Sequence, residues 1–286
     1  MSIHREVQAA GGKVVRERQE EARRLRQEGE LPAPAAGVAA PAALVTEMDA
    51  AWLRAWRRRA EGFNMHLLVA YTGKRRAWRR GKRGRLQGKR VLAYAGGCAL
   101  FGAMACVELE RHYRVSEVTR HLLMSDGESG YESIRAEHFP GARHQADWRH
   151  LDEKLLRAVE YDAEAVRPLR QDLYAERLEA LRARLRPRAR GADARAKAAA
   201  EALRYLDSQG ERLYAYRRLR REPGWPADLR RLHATGAVES NVKTQINARF
   251  KRPGMGWTER GANHLVALRH LREQEPERFH ALFAGP

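Results

Sequence analysis

The chain is short of three things: long apolar runs, cysteine and acidic charge. No stretch approaches the ~20 apolar residues of a membrane span. The charged segment from Met1 to Glu30 contains no apolar signal-peptide core. Only two cysteines occur, Cys98 and Cys106. They lie eight residues apart on one helical stretch, where they cannot bridge without distortion, and no Cys/His spacing suits zinc. A disulfide scaffold is excluded, and the expected compartment is a reducing cytoplasm. Aromatics make up 7% and hydrophobic residues 43% of 286 residues, which excludes wholesale disorder and collagen-like architecture. Acids number 36 against 55 Lys and Arg, a formal charge of +19. A surplus that large suits a polyanion: DNA, RNA or an acidic membrane face.

Composition divides the chain. Residues 13–28 read as an almost wholly charged, solvated helix with no apolar stripe. Residues 31–43 form a Pro/Ala linker. Strands are expected at 44–50, 64–71, 91–97, 121–127 and 142–148, with helices at 99–113 and 131–139. That order is α/β with a mixed sheet. Residues 150–220 carry Leu, Ala, Arg and Glu at helical spacing, in about three helices broken near Gly191 and Gly210. Two further helices are expected at 237–250 and 258–273. The domains read as 1–43, 44–150, a helical insertion at 151–233, and closing helices at 234–286.

The charge is concentrated. Between Arg54 and Arg90 stand 11 Arg and 3 Lys against one acid, Glu61, two thirds of the whole surplus. Residues 73–90 read as a loop, because Gly recurs and apolar residues are almost absent. A run of one sign repels itself unless an anion screens it. Trp78 within it suits stacking on a base or sugar. Phosphate contact from such a run is salt-dependent and blind to sequence.

In so basic a chain, carboxylates at strand ends stand out. Asp49 closes the first strand and Asp126 the fourth, where ligand chemistry gathers in open α/β sheets. Asp126 also suits a plain cap before the next helix. Glu239 borders the apolar stripe Val238, Val242, Ile246 and Phe250, and also suits an i,i+4 pair with Lys243. Three converging acids would suit two divalent metals acting on a phosphodiester.

The motifs around these acids resemble a known family. Ser125-Asp126-Gly127, the Phe139-Pro140-Gly141 that follows, Val238-Glu239-Ser240-Asn241-Val242, and Arg252-Pro253-Gly254-Met255-Gly256-Trp257 with Gly261-Ala262 are similar to DDE transposases of bacterial insertion sequences. Within those, the pattern looks most like the ISLre-type group, over about residues 44–272. The resemblance implies an RNase H-like fold with a helical insertion between the second Asp and the Glu. It implies Asp49, Asp126 and Glu239 as ligands of two Mg²⁺ or Mn²⁺ ions, with Glu47, two residues from Asp49, as the alternative first ligand. Asp147-x-x-His150 resembles a signature that follows the second Asp in several transposase superfamilies, making His150 a catalytic candidate. Trp225 resembles an insertion-domain Trp that stacks on a DNA base.

The implied activity is cleavage and strand transfer on double-stranded DNA, at element ends and target, by a nucleoid-associated homodimer or higher multimer with no membrane role. Arg75, Arg76, Arg79, Arg80, Lys82 and Arg83 would contact phosphate, and Lys243 and Arg249 would do so beside the site. The short N-terminal region departs from the family pattern, so a truncated copy is one expectation. The alternatives are a DNA-binding remnant that does not cut, or an RNase H-like nuclease.

Overall fold

The computed structural model describes residues 3–56, 58–76, 84–127, 129–230 and 236–284. The chain forms two compact units. The first comprises residues 1–123, 129–143 and 223–286, and the second 124–128 and 144–222.

The first unit opens with helix α1 (Ile3–Glu28). Then come β1 (Leu44–Ala55), β2 (Arg58–Tyr71), β3 (Gly73–Arg76), β4 (Gly84–Gln87) and β5 (Arg90–Ala95). Helices α2 (Cys98–Tyr113) and α3 (Ser129–His138) flank β6 (His121–Ser125), and β7 (Arg143–Ala146) follows; the last two residues of β6 and the last three of β7 are counted with the second unit. Five strands form one mixed sheet in the order β5-β2-β1-β6-β7, with β1 central. The pairs β1/β2 and β2/β5 are antiparallel. The first five residues of β1, Leu44 to Met48, are all buried, as befits a strand covered on both faces. Leu44, Met48, Leu68 and Leu92 pack with Phe101, Met104 and Leu109 of α2 and with Ile134 of α3 in one core.

Two expectations for this unit fail. Helix α1 is not solvated: Val14, Val15, Arg18 and Ala22 are buried. Its inward stripe uses small residues and the aliphatic stem of an arginine, so no run of large apolar residues marks it. A Cβ on Gly11 would stand 2.7 Å from the His264 Cβ, so glycine sets the closeness of this helix crossing. The expected loop at 73–90 is in fact built on a hairpin, with β3 and β4 paired antiparallel and Arg75 directly opposite Arg85.

In the second unit the helices are α4 (Trp148–Ala158), α5 (Ala163–Tyr174), α6 (Leu178–Arg188), α7 (Ala194–Gln209) and short α8 (Ala215–Leu219). Asp147, Asp162 and Asp193 cap three of them by accepting backbone amides. Leu151, Leu155, Leu169, Leu181, Leu185, Ala202 and Leu206 form its own core. The expected three helices are therefore four longer ones and a short fifth.

The chain then returns to the first unit through α9 (Ala227–Arg230) and α10 (Ala237–Asn241), a π turn (Val242–Asn247), and α11 (Ala248–Phe250). Helices α12 (Glu259–Gln274) and α13 (Pro276–Ala281) close it. The stripe Val238, Val242, Ile246 and Phe250 is buried, as its spacing predicts. A strict four-residue repeat drifts about 40° per step on an α-helix, and the wider π turn absorbs that drift. No described helix is long and apolar enough to cross a membrane.

Candidate metal centre and basic surface

Asp126 follows the last residue of β6 and precedes Gly127, whose φ of +87° gives the chain a left-handed turn that favours glycine. The turn is held from within its own unit. Gln209 of α7 donates to the Gly127 carbonyl at 3.3 Å, and its amide fills the space where a Cβ on Gly127 would stand 2.5 Å away. Ser125 Oγ pairs with His144 Nε2 at 2.9 Å. The Asp147 amide donates to the Ser125 carbonyl at 2.9 Å, fixing the start of α4 beside the turn.

Asp147 then caps α4 by accepting the Arg149 amide at 2.9 Å. That cap places His150 in the first helical turn. Its Nε2 lies 3.8 Å from the Asp147 carboxylate. Asp126 and His150 are both half-buried, and each offers a ligand atom within 4.8 Å of the other. The two expected residues on this turn and helix start are thus brought together. Tyr205 donates to the Asp147 carbonyl at 3.0 Å. Burial, with the Asp147 and Asp126 charges nearby, pushes its phenol well above the usual range. Tyr205 and Gln209 escape sequence reasoning, because nothing in a run of helical residues marks which ones reach back 58 and 82 positions.

In the first unit, Asp49 lies in mid-β1 opposite Leu67 rather than at a strand end, because the strand continues to Ala55. It is half-buried, and one carboxylate oxygen accepts the Ala50 amide at 2.7 Å. Glu47, the alternative first ligand, is fully buried, with both oxygens occupied. Tyr71 Oη donates to one at 2.6 Å. The amides of Val238 and Gly236 donate to the other at 2.8 and 3.1 Å. Burial pushes its carboxyl above the ordinary range, against the pull of these hydrogen bonds and of Lys74. Glu47 therefore ties the start of α10 to β1, two residues from Asp49. Glu239 stands next to Val238 on that helix and is exposed. The apolar strand around Glu47 looks the same whether its acid binds metal or backbone, so sequence left both readings open.

Among the basic residues, Arg75 is exposed on β3, facing exposed Arg85. Like charges directly opposite in a ladder destabilise it unless screened. Lys243 and Arg249 are exposed on the helical run after Glu239. The backbone of Arg76 closes β3, whereas Trp78, Arg79, Arg80, Lys82 and Arg83 lie outside the described residues. Trp225, expected to stack on a DNA base, is instead buried at 2% exposure, which leaves its ring no open face for a base. Arg120 supports that turn by donating to the Pro223 carbonyl at 3.1 Å. No known family model and no curated protein matches the chain.

Proposed function

We propose that the chain is the catalytic body of a DNA transposase, cutting and joining strands with two divalent ions. The observation that carries this reading is the pairing of Asp126 with His150 on a turn and a helix start built to hold them. The order of β6 beside β1 in the sheet, and the Glu47 tie between β1 and the helix of Glu239, are consistent with it. In this reading Asp49, Asp126 and Glu239 hold Mg²⁺ or Mn²⁺, with His150 beside Asp126.

The donor set fits such ions. Carboxylate oxygens and one imidazole suit Mg²⁺ and Mn²⁺. Two ligands on one ion with bonds near ~2.1 Å stand no more than about 4.2 Å apart, a span open to groups within 4.8 Å. Bound there, the ions would supply the Lewis acidity that activates a water or a 3′-hydroxyl. Exposed Arg75, Arg85, Lys243 and Arg249 would hold the phosphate backbone, while Gln209 and the Asp147 cap keep Asp126 and His150 in place.

The test is nicking of supercoiled DNA by the full chain with Mg²⁺ or Mn²⁺, and joining of a pre-cut 3′-hydroxyl end. The expected result is metal-dependent nicking and joined product, both lost in Asp126→Ala, Asp49→Ala and Glu239→Ala. Nicking that survives Asp126→Ala overturns the assignment. Salt-sensitive DNA binding without any cleavage makes the chain a binding remnant, and cleavage without joining makes it a nuclease.

A further inference from the structure

The first unit carries an exposed face that neither the acids nor the β3–β4 hairpin uses. Strand β5 pairs with β2 only from Met65 to Ala70. The remainder of β2, with Trp52 to Ala55 of β1, runs past β5 as a two-stranded ribbon. Successive side chains on β1 alternate in direction, so Trp52 and Arg54 share one face; the register then shifts between Arg54 and Ala55, and Trp56 follows directly after the strand. Trp52 is 50% and Trp56 54% exposed, and Arg54 is exposed between them.

This face is built rather than loose. The Trp52 ring lies over Gly62 of the partner strand. A Cβ on Gly62 would collide with the indole, so glycine makes room for it. Half of the residue's surface stays open. At the far end the ribbon is clamped. The Trp56 amide donates to the Trp257 carbonyl at 2.9 Å, and the Trp257 amide to the Arg54 carbonyl at 3.0 Å. A Cβ on Gly256 would stand 3.1 Å from the Ala55 carbonyl oxygen, so this approach is close. The Trp257 ring packs on Phe250, 4.9 Å between centroids, at the end of the helical run that begins with Glu239.

At ~3.3 Å per residue, Arg54 lies about 6.6 Å along the strand from Trp52, and Trp56 stands two residues further along the chain. Two exposed aromatic rings with an exposed guanidinium between them in the chain suit bases on the rings and a phosphate on the arginine. The charge agrees: this ribbon opens the segment of 14 basic residues and one acid between Arg54 and Arg90. A second copy of a chain of charge +19 would meet like charge there.

We propose that Trp52, Arg54 and Trp56 form a stacking face for the unpaired bases of a nucleic-acid strand. The inference deepens the DNA reading above and rests on it only for the source of that strand. Unpaired bases, unlike a duplex, offer the π-faces the rings need.

The test is binding of the full chain, in EDTA, to fluorescein-labelled oligodeoxythymidine, oligouridine and a duplex of equal length. The variants are Trp56→Ala, Trp52→Ala/Trp56→Ala and Trp52→Phe/Trp56→Phe. Each ring removed is expected to weaken single-strand binding roughly tenfold. Duplex affinity should change less than about twofold, and the Phe variant should retain most of the binding. The tighter of the two oligonucleotides identifies the strand as DNA or RNA.

Because Trp52 packs on Gly62, thermal midpoints accompany every variant, and Trp56→Ala serves if the double variant unfolds. Equal losses on duplex and single strand, or no loss, overturn the proposal. So does a concentration-dependent dimer that Trp56→Ala dissolves, because a second copy then covers the face. Absence of metal-dependent nicking in the unaltered chain would sink the transposase reading and leave this binding result standing.

Discussion

Two groups of carboxylate and imidazole in this protein bring the same ligand types together in different settings. In the first unit, Glu108, His112 and Glu275 offer ligand atoms within 4.8 Å of one another. In the second, Asp126 and His150 do the same. Glu108 is 3% exposed and is neutralised from inside the protein. Burial alone would raise its pKa. The His112 ring 3.3 Å away and the charges of Arg18 and Arg90 overcome that and hold the carboxyl at about 2. Glu275 adds Arg90 at 3.7 Å and Arg278 at 3.1 Å. That group is an internal ion-pair network joining α2, β5 and the end of α12, and its counter-charge is permanent. Asp126 instead stands half-buried on a left-handed turn, beside a histidine in a first helical turn. Proximity of ligand types therefore does not define a metal centre. What marks the first group as structural is that the protein has already supplied its positive charge.

The comparison breaks most sharply at Asp126. Asp126→Ala is expected to cut metal-dependent strand cleavage at least about a thousandfold, some ~4 kcal/mol of barrier, with little change in thermal midpoint. The same exchange at the internal network should do the reverse. Glu108→Ala leaves buried Arg and His charge uncompensated and is expected to cost about 3 kcal/mol of stability, measured by denaturant unfolding, without altering Mn²⁺ binding.

That network also gives a pH signature. The folded-state pKa of Glu108 lies below its ordinary 4.5. Its stabilisation is present above pH 4.5 and is lost as pH falls toward about 2. Unfolding midpoints between these limits should flatten in Glu108→Ala, and an unchanged slope would contradict the assigned ion pairs.

Smaller effects sharpen the picture. Glu47→Gln replaces an acceptor by a donor that meets the Gly236 or Val238 amide or the Tyr71 hydroxyl. The expected cost is about 1–3 kcal/mol, with faster hydrogen exchange at the Gly236 and Val238 amides. Unchanged exchange there would mean that Glu47 does not hold α10. The smallest effect belongs to the surface: Arg75→Gln should lower the salt-dependence slope of DNA binding by about one unit, with no preference among sequences.

Much of the first unit could be read in the sequence. The five strands of the main sheet, α2 and α3 follow from apolar runs closed by Gly and Pro, although β1 and β2 extend further than those runs. What escaped did so for physical reasons. The β3–β4 hairpin has no apolar alternation: its paired residues include Lys74, Arg75, Arg76 and Arg85. Helix α1 hides its buried side behind Gly11, Ala22 and Arg18. Of the site, Asp126 and His150 were legible because turn and helix start lie close in sequence, and the structure brings them together. The Glu47 tie was not, since its amide partners stand 189 and 191 positions away. Trp225 has the composition of a stacking residue and the burial of a core one, a distinction that only packing reveals.

The π turn at Val242–Asn247 gives this helical run an asymmetric tolerance to changes in length. The stripe Val238, Val242, Ile246 and Phe250 spaces its apolar residues by four each time, one residue more than an ordinary helical face requires over that span. Removal of exposed Thr244, whose hydroxyl donates only to the Ser240 and Asn241 carbonyls, would leave spacings of four, three and four. The run could then close as continuous α-helix with the same residues facing inward. Adding a residue there would instead turn Phe250 away from Trp257. A single deletion at this point should leave a folded protein, and a single insertion should not.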